Sequence, residues 1–374
     1  MTSLPNSTPS KSASASTKYN WSDENLSQPP SNQSQDSLKA AVENELDDHT
    51  WEFKAEKFAK MLSPKIRKTP LKAHEVDTLD DYEIFAIDNV NTNDVSTPSF
   101  PKSTSEREHY PPLRDFLNEC VAVCQKSLGK EKKYYDDLKF VVWDCEMKDG
   151  VAGAAALKPD IAGVKGLQDR DTIKAAGLYW RPPKLSDYGL LIPVEVKSGW
   201  PDLVRQAGTY ARCLFDANPL RQFAMVLAYN HIDMGLRFLV FHHGGLSSSV
   251  MLEHRSQTGR RDILRIFLAI LSWETPAHAG LPMWCNDGEM FLPNNDHVGV
   301  EKVLHNSLCI RGRAPRVVLV CARDTLKDST VVPPAENTCL VIPRRSGRLR
   351  NKEELQTVAE DVDHGGLCPA PISY

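Results

Sequence analysis

One stretch constrains this chain more than any other: YGLLIPVEVK, residues 188–197, which passes through Ser198-Gly199-Trp200 directly into PDLVRQAGTYARCLF. The first part has strand composition, and in a strand successive side chains point to opposite faces. Val194 and Val196 therefore share one face, and Glu195 and Lys197 share the other. The second part has helical periodicity, with Pro201 in the first turn and Leu203, Ala207, Tyr210, Ala211 and Leu214 on one side. A strand that ends in charge and leads at once into an amphipathic helix belongs to a layered α/β domain. Pro193 within the strand predicts an edge position or a bulge, because a prolyl nitrogen cannot donate to a ladder.

The surrounding sequence fits that frame. Pro111-Pro112 open a predicted helix in which Leu113, Phe116, Leu117, Cys120, Val121, Cys124 and Leu128 recur at helical spacing. Strands are expected over 139–147 and 156–164, forming an early antiparallel pair, then over 222–229 and 236–242, with a last helix over 261–273. The order is helix, three strands, helix, two strands, helix, a mixed sheet with helices on its faces. Trp143, Trp180, Trp200 and Trp273 read as core or edge packing. Cys120 and Cys124, with no matching Cys or His pair nearby, read as small buried hydrophobes. His242-His243-Gly244-Gly245 reads as a turn, since adjacent strand residues face opposite ways.

Outside this block the composition changes. Residues 1–37 are Ser, Thr, Asn, Gln and Pro with few large apolar side chains, and are expected to be disordered. Residues 38–61 carry a helical pattern that suggests one or two helices able to meet the main domain or a protein partner, and a polar linker runs to 110. The domain is expected to span 111–325, with a divergent, mostly disordered tail over 326–374. The formal net charge is −4, with the negative excess before residue 111 and a mildly basic domain after it. That balance permits nucleic acid as a partner without demanding it. No apolar run has the length needed to span a bilayer and the first residues lack a signal-peptide core, so the expectation is a soluble intracellular protein with reduced thiols and no membrane partner. The basic cluster 344–352 is usable as a nuclear address or a polyanion contact.

The chemistry-bearing residues lie at the end of the first stretch. If Asp160, after Pro159, stands on a strand beside Glu195, the two carboxylates form a cluster of hard oxygen ligands suited to Mg²⁺ or Mn²⁺, to which the Val196 carbonyl can add. Lys197 on the same face can orient a water or hold developing charge. The competing reading is a solvated polar strand face, since acidic-x-Lys triplets recur at Glu52-Phe53-Lys54, Glu131-Lys132-Lys133 and Asp137-Leu138-Lys139.

Pro159-Asp160, Glu195-Val196-Lys197 and the Gln206-x-x-x-Tyr210 helix together resemble the PD-(D/E)XK superfamily, in particular its RecB-like branch. The resemblance implies a restriction-endonuclease-like mixed sheet flanked by helices, a divalent ion held by Asp160 and Glu195, a catalytic Lys197, and Gln206 and Tyr210 on the substrate side. An acidic residue on the first helix often joins such sites, and Glu119 is the candidate. The stretches GAAALKPDIAGV, LIPVEVKSGWPDLVRQAGTYARCLF, RQFAMVLAYNH, LRFLVFHHGGL and DILRIFLAIL resemble the region preceding the kinase in the fungal-type protein kinase family of basidiomycetes. Residues 311–320 sit where that kinase would open. Neither His-Arg-Asp nor Asp-Phe-Gly occurs in the sequence, so kinase activity is not expected of this chain. Two functional expectations follow: a metal-dependent nuclease, or a catalytically silent nuclease-like module that serves recognition or regulation of an attached kinase.

Overall fold

The computed structural model describes residues 42–63, 95–96, 99–102, 105–128, 133–149, 157–166, 169–180, 182, 188–218 and 221–281. Beyond these it describes Ile310 and the backbone of 289–291, 297–306, 316–322 and 338–342. The expected disorder of 1–37, most of the linker and most of 326–374, including the basic cluster, lies outside the described residues. No helix among the described residues is long and apolar enough to cross a membrane.

The described elements are β1 (Thr50–Phe53), α1 (Ala55–Leu62), α2 (Glu106–Leu128), β2 (Leu138–Val142), β3 (Ile161–Lys165), α3 (Arg170–Ala176), β4 (Leu178–Tyr179), β5 (Tyr188–Lys197), α4 (Trp200–Ala217), β6 (Phe223–Asn230), β7 (Gly235–His242), β8 (Gly245–Ser249), β9 (Leu252–Glu253) and α5 (Gln257–Leu271). They build an open mixed sheet in the order β1-β8-β7-β6-β5-β3-β2, with β4 beside β5 and β9 beside β7. β2, β3 and β5 form an antiparallel meander. The chain then crosses through α4 so that β6 lies parallel to β5, and β7 returns antiparallel. The predicted α/β class and the order of its main elements are thus those of the structure.

Two cores cover the two faces. On one, α1, α2 and α5 bury Phe58, Leu113, Phe116, Leu117, Phe267 and Ile270 against Ile192, Val194, Val196, Leu227 and Phe238. On the other, α4 buries Leu203, Ala207, Tyr210 and Leu214 against Ala162, Val164, Val226, Ala228 and Leu239. Trp143, Trp180 and Trp273 are buried, as are Cys120 and Cys124. The edge of β2 is covered by α2: the Asn118 side chain donates to the Phe140 carbonyl at 2.9 Å and accepts from the Phe140 N–H at 2.8 Å. This satisfies backbone groups that an open edge would leave free.

Pro193 is not at an edge, since β5 lies between β3 and β6. Ile192 pairs with Gly163, and the next pair is Leu190 with Val164, so β5 carries one extra residue there, a β-bulge. The bulge reverses the alternation: Leu190 joins the α4 core and Ile192 the opposite one. β6 pairs with β5 only from Val194 onward, which leaves the proline nitrogen ahead of the two-sided ladder. Gly163 permits the approach, because a Cβ there would stand 2.9 Å from the Phe140 ring and 3.1 Å from the Ile192 carbonyl.

Other boundaries moved. The first helix starts not at Pro111 but five residues earlier, at Glu106, with both prolines inside it. As the sixth and seventh residues of the helix they each remove one i→i−4 bond, to the Arg107 and Glu108 carbonyls. The second strand begins at Ile161 rather than 156, leaving Asp160 immediately ahead of it. The continuous helical pattern over 38–61 is broken: residues 42–46 are helical, Asp48 takes φ 57°, and β1 pairs in parallel with β8 before α1 begins. Val42, Leu46, Phe58 and Leu62 are all buried on the chain's own domain. The apolar face expected to meet a protein partner is therefore occupied within the chain, and the domain starts well before residue 111. His243-Gly244 does form the turn between β7 and β8.

A second sheet follows, antiparallel in the order β10 (Glu289–Phe291), β11 (His297–Asn306), β12 (Arg316–Ala322), β13 (Thr338–Ile342). Its last strand falls within the segment 326–374 expected to be a mostly disordered tail, and pairs with β12 throughout. The strand ends at Ile342, one residue before the proline that would break its ladder. Ile310, between β11 and β12, is buried on the first domain: its N–H donates to Glu45 at 2.6 Å and its carbonyl lies 3.0 Å from the His243 ring.

Candidate active site

Asp160 and Glu195 come together because β3 and β5 are neighbours with Ile161 opposite Val194. Asp160 stands at the mouth of β3 and Glu195 one residue past that pairing. The Val196 N–H donates to Asp160 Oδ2 at 2.8 Å, which fixes the carboxylate to the β5 backbone. Both acids are buried, at 6 % and 3 % exposure. A buried carboxylate is costly unless its oxygens are hydrogen-bonded, and here two tyrosines meet that need. Tyr110 of α2 donates to Asp160 Oδ1 at 2.5 Å. The Tyr210 hydroxyl of α4 is 2.6 Å from Glu195 Oε2 and 3.0 Å from the Lys158 carbonyl. Gln206, one turn earlier on α4, hydrogen-bonds Tyr210.

Lys197 closes the group. Its Nζ is 3.0 Å from Glu195 Oε1, 2.9 Å from Glu106 Oε2, 3.1 Å from the Val196 carbonyl and 4.0 Å from Asp160 Oδ2. The Lys197 and Glu106 side chains keep 30 % and 34 % of their exposure, so the site meets solvent on their side and the other two acids lie behind them.

Electrostatics follow from this geometry. Burial, with Asp160 beside it, pushes the Glu195 carboxyl up to about 8, against the pull of Lys197 and Tyr210. Burial raises Asp160 as well, opposed by Lys197, Tyr110 and the Val196 N–H. For Lys197 burial acts to lower the pKa, but Glu195 and Asp160 outweigh it and the ammonium is held charged. Burial and the adjacent carboxylates raise both Tyr110 and Tyr210, which therefore remain donors. One ammonium thus faces three carboxyl groups.

Of the residues singled out in the sequence, Asp160, Glu195, the Val196 carbonyl, Lys197 and Tyr210 stand in one cluster, with Gln206 behind Tyr210. Glu119 does not. It lies thirteen residues along α2 from Glu106, about 20 Å at the helical rise, and its Oε2 accepts from Ser96 at 2.7 Å. The acid that α2 contributes is Glu106, and its partner Tyr110 is one turn on. Their i, i+4 spacing was visible in the sequence, but with the helix started at Pro111 neither residue was on it.

The donor set, two buried carboxylates, a more exposed third and a backbone carbonyl, is of the hard oxygen kind that suits Mg²⁺ or Mn²⁺. Among the described residues no three such side chains stand as a ready ligand set for a metal; the space between them holds the Lys197 ammonium. At the rim, Arg107 and Lys158 both pair with Asp144, at 3.2 Å each, and keep 73 % and 50 % of their exposure.

No family model, curated protein or solved structure matches this chain.

Proposed function

We propose that the domain is a divalent-metal-dependent phosphodiesterase of the PD-(D/E)XK kind, acting on nucleic acid. The observation that carries this reading is the convergence of Asp160, Glu195 and Lys197 at the adjoining ends of β3 and β5, with a backbone carbonyl between the last two. A solvated polar strand face would leave these acids in water, whereas they are buried at 6 % and 3 % exposure. The open mixed sheet flanked by helices also fits the architecture that the resemblance implies.

In this reading Asp160, Glu195 and the Val196 carbonyl hold Mg²⁺ or Mn²⁺, with Glu106 as the outer acid. A bound ion supplies a water of lowered pKa and neutralises phosphodiester charge. Tyr110 and Tyr210 fix the two inner carboxylates, Gln206 supports Tyr210, and Lys197 orients the attacking water. Arg107 and Lys158 offer charge to a phosphate backbone. The purified protein is expected to cleave DNA or RNA only with Mg²⁺ or Mn²⁺, and Asp160→Ala or Glu195→Ala to abolish cleavage. Equal activity of wild type and Glu195→Ala on all four single- and double-stranded substrates rejects the nuclease.

A second reading has one observation in its favour. Lys197 and the two tyrosines already satisfy the inner carboxylates, as a purely structural polar core requires. On that reading the domain is a silent interaction or regulatory module of the kind found beside fungal-type protein kinases. Melting temperature measured against Mg²⁺ separates the two, because an ion held only by the native state raises stability.

A further inference from the structure

A carboxylate cluster can meet its need for positive charge from outside or from within the chain. Here the Lys197 ammonium stands among the same oxygens that the proposed ion would use: 3.0 Å from Glu195, 2.9 Å from Glu106, 3.1 Å from the Val196 carbonyl and 4.0 Å from Asp160. An ammonium and a divalent cation cannot both occupy that space. Like charges at such separations repel, and low-dielectric surroundings strengthen the repulsion. The opening lies on the Lys197 and Glu106 side, while Asp160 and Glu195 are almost fully covered. An arriving ion therefore meets the lysine first. The lysine stem is flexible, and its charged end can turn to water while the methylenes stay packed.

We propose that Lys197 is a tethered counter-ion that closes the site, and that a divalent cation enters by displacing its ammonium towards solvent. This rests on the metal-site reading above. It gives Lys197 a second position besides the one in which it would orient water, and makes cation entry a competition within the chain. Lys197 is a positioning and gating residue in the free protein, and its removal should strengthen ion binding even as it impairs any cleavage.

The test uses the full chain. Mn²⁺ binding is followed by electron paramagnetic resonance for wild type, Lys197→Met, which keeps an unbranched stem without the charge, and Glu195→Gln. Lys197→Met is expected to bind Mn²⁺ at least tenfold more tightly than wild type, and Glu195→Gln more weakly. A folded Lys197→Met with equal or lower affinity overturns the proposal. A measurement on wild type covers the case in which that variant does not fold: amine acylation of Lys197, read by peptide mass, should speed up several-fold when Mn²⁺ is added. Unchanged or slower labelling overturns it as well. The two readings fail separately. Tighter binding by Lys197→Met in a protein that cleaves nothing removes the nuclease and keeps the counter-ion. Metal-dependent cleavage by wild type together with weaker binding by Lys197→Met keeps the nuclease and removes the counter-ion. Absence of Mn²⁺ binding in every variant removes both.

Discussion

The two faces of β5 near its C-terminal end offer a controlled comparison, since they share a backbone and differ only in alternate side chains. Val194 and Val196 point into the core under α2 and α5, where packing needs shape alone. Glu195 and Lys197 point towards the α4 side, where Tyr210 interrupts an otherwise apolar helix face. Glu195 is as dry as the valines, while Lys197 beside it keeps contact with solvent, and each Glu195 oxygen is matched to a donor. Apolar packing tolerates swaps of similar volume, whereas a buried polar cluster is stable only when complete. The first face fixes where the sheet and helices lie, and the second spends that rigidity on holding charge out of water.

The largest departure should come from the apolar face. Phe267 is fully buried between Phe140 and Phe238, and Phe267→Ala should cost about 3–5 kcal/mol, read by urea unfolding and little changed between pH 5 and 8. A strong pH dependence of that cost would mean the two faces are coupled.

Next in size is a pH slope that belongs to the polar face. The Glu195 carboxyl, raised to about 8 in the fold from 4.5, binds a proton more tightly folded than unfolded. In metal-free protein the stability this group contributes should therefore be present at the acid end of that window and be lost as pH rises from about 5 to about 8, while the buried His242 and His254, held down to about 4, act in the opposite sense below pH 6.5. The other groups facing Glu195 do not reverse this sign: Asp160 is also raised, and Lys197, Tyr110 and Tyr210 are raised and titrate above the window. The stability of wild type relative to Glu195→Gln, read from melting curves across pH, should show the decline, since the histidines are common to both. A relative stability that rises over the same range would contradict the burial argument.

A smaller effect is expected from Tyr210→Phe, which removes one donor from Glu195 without altering shape. It should cost about 1–3 kcal/mol and deepen the loss on going to pH 8, where the carboxylate most needs its partner. Smaller again, Asn118→Ala should cost about 1–2 kcal/mol by freeing the Phe140 backbone groups, with no pH dependence, because the bond joins an amide to backbone groups that do not titrate. Hydrogen exchange at Phe140 reads it directly.

Strand and helix periodicity made the main sheet legible, because patterns of period 2 and 3.6 are local and the segments 188–217 and 223–242 carry them cleanly. The pairing of Glu195 and Lys197 on one face needed only alternation. Elements with little local signal were missed. β1 hides in a run whose apolar spacing also fits a helix, and becomes a strand only because β8 offers it an edge. α3, β4 and β9 are too short to show a period. β8 is GLSSS, polar by composition, and is buried because β1 and β7 flank it.

The site divides along the same line. Sequence alone determined that Glu195 and Lys197 would share one face at the end of an apolar strand, and that Gln206 and Tyr210 would lie one turn apart on the helix that follows it. The place of Asp160 beside Glu195 was only a condition there, and it stands ahead of β3 instead of inside a strand over 156–164. Only the tertiary structure decided which acid of the first helix joins them. Two prolines obscured the true start at Glu106, and a helix shows its outward positions without saying which part of it reaches the sheet. It also decided that Lys197 stands between the carboxylates. A side chain's face follows from backbone period, but the place of its charged end follows from the field of every neighbour at once, here Glu106, Asp160 and Glu195, drawn from three separate elements.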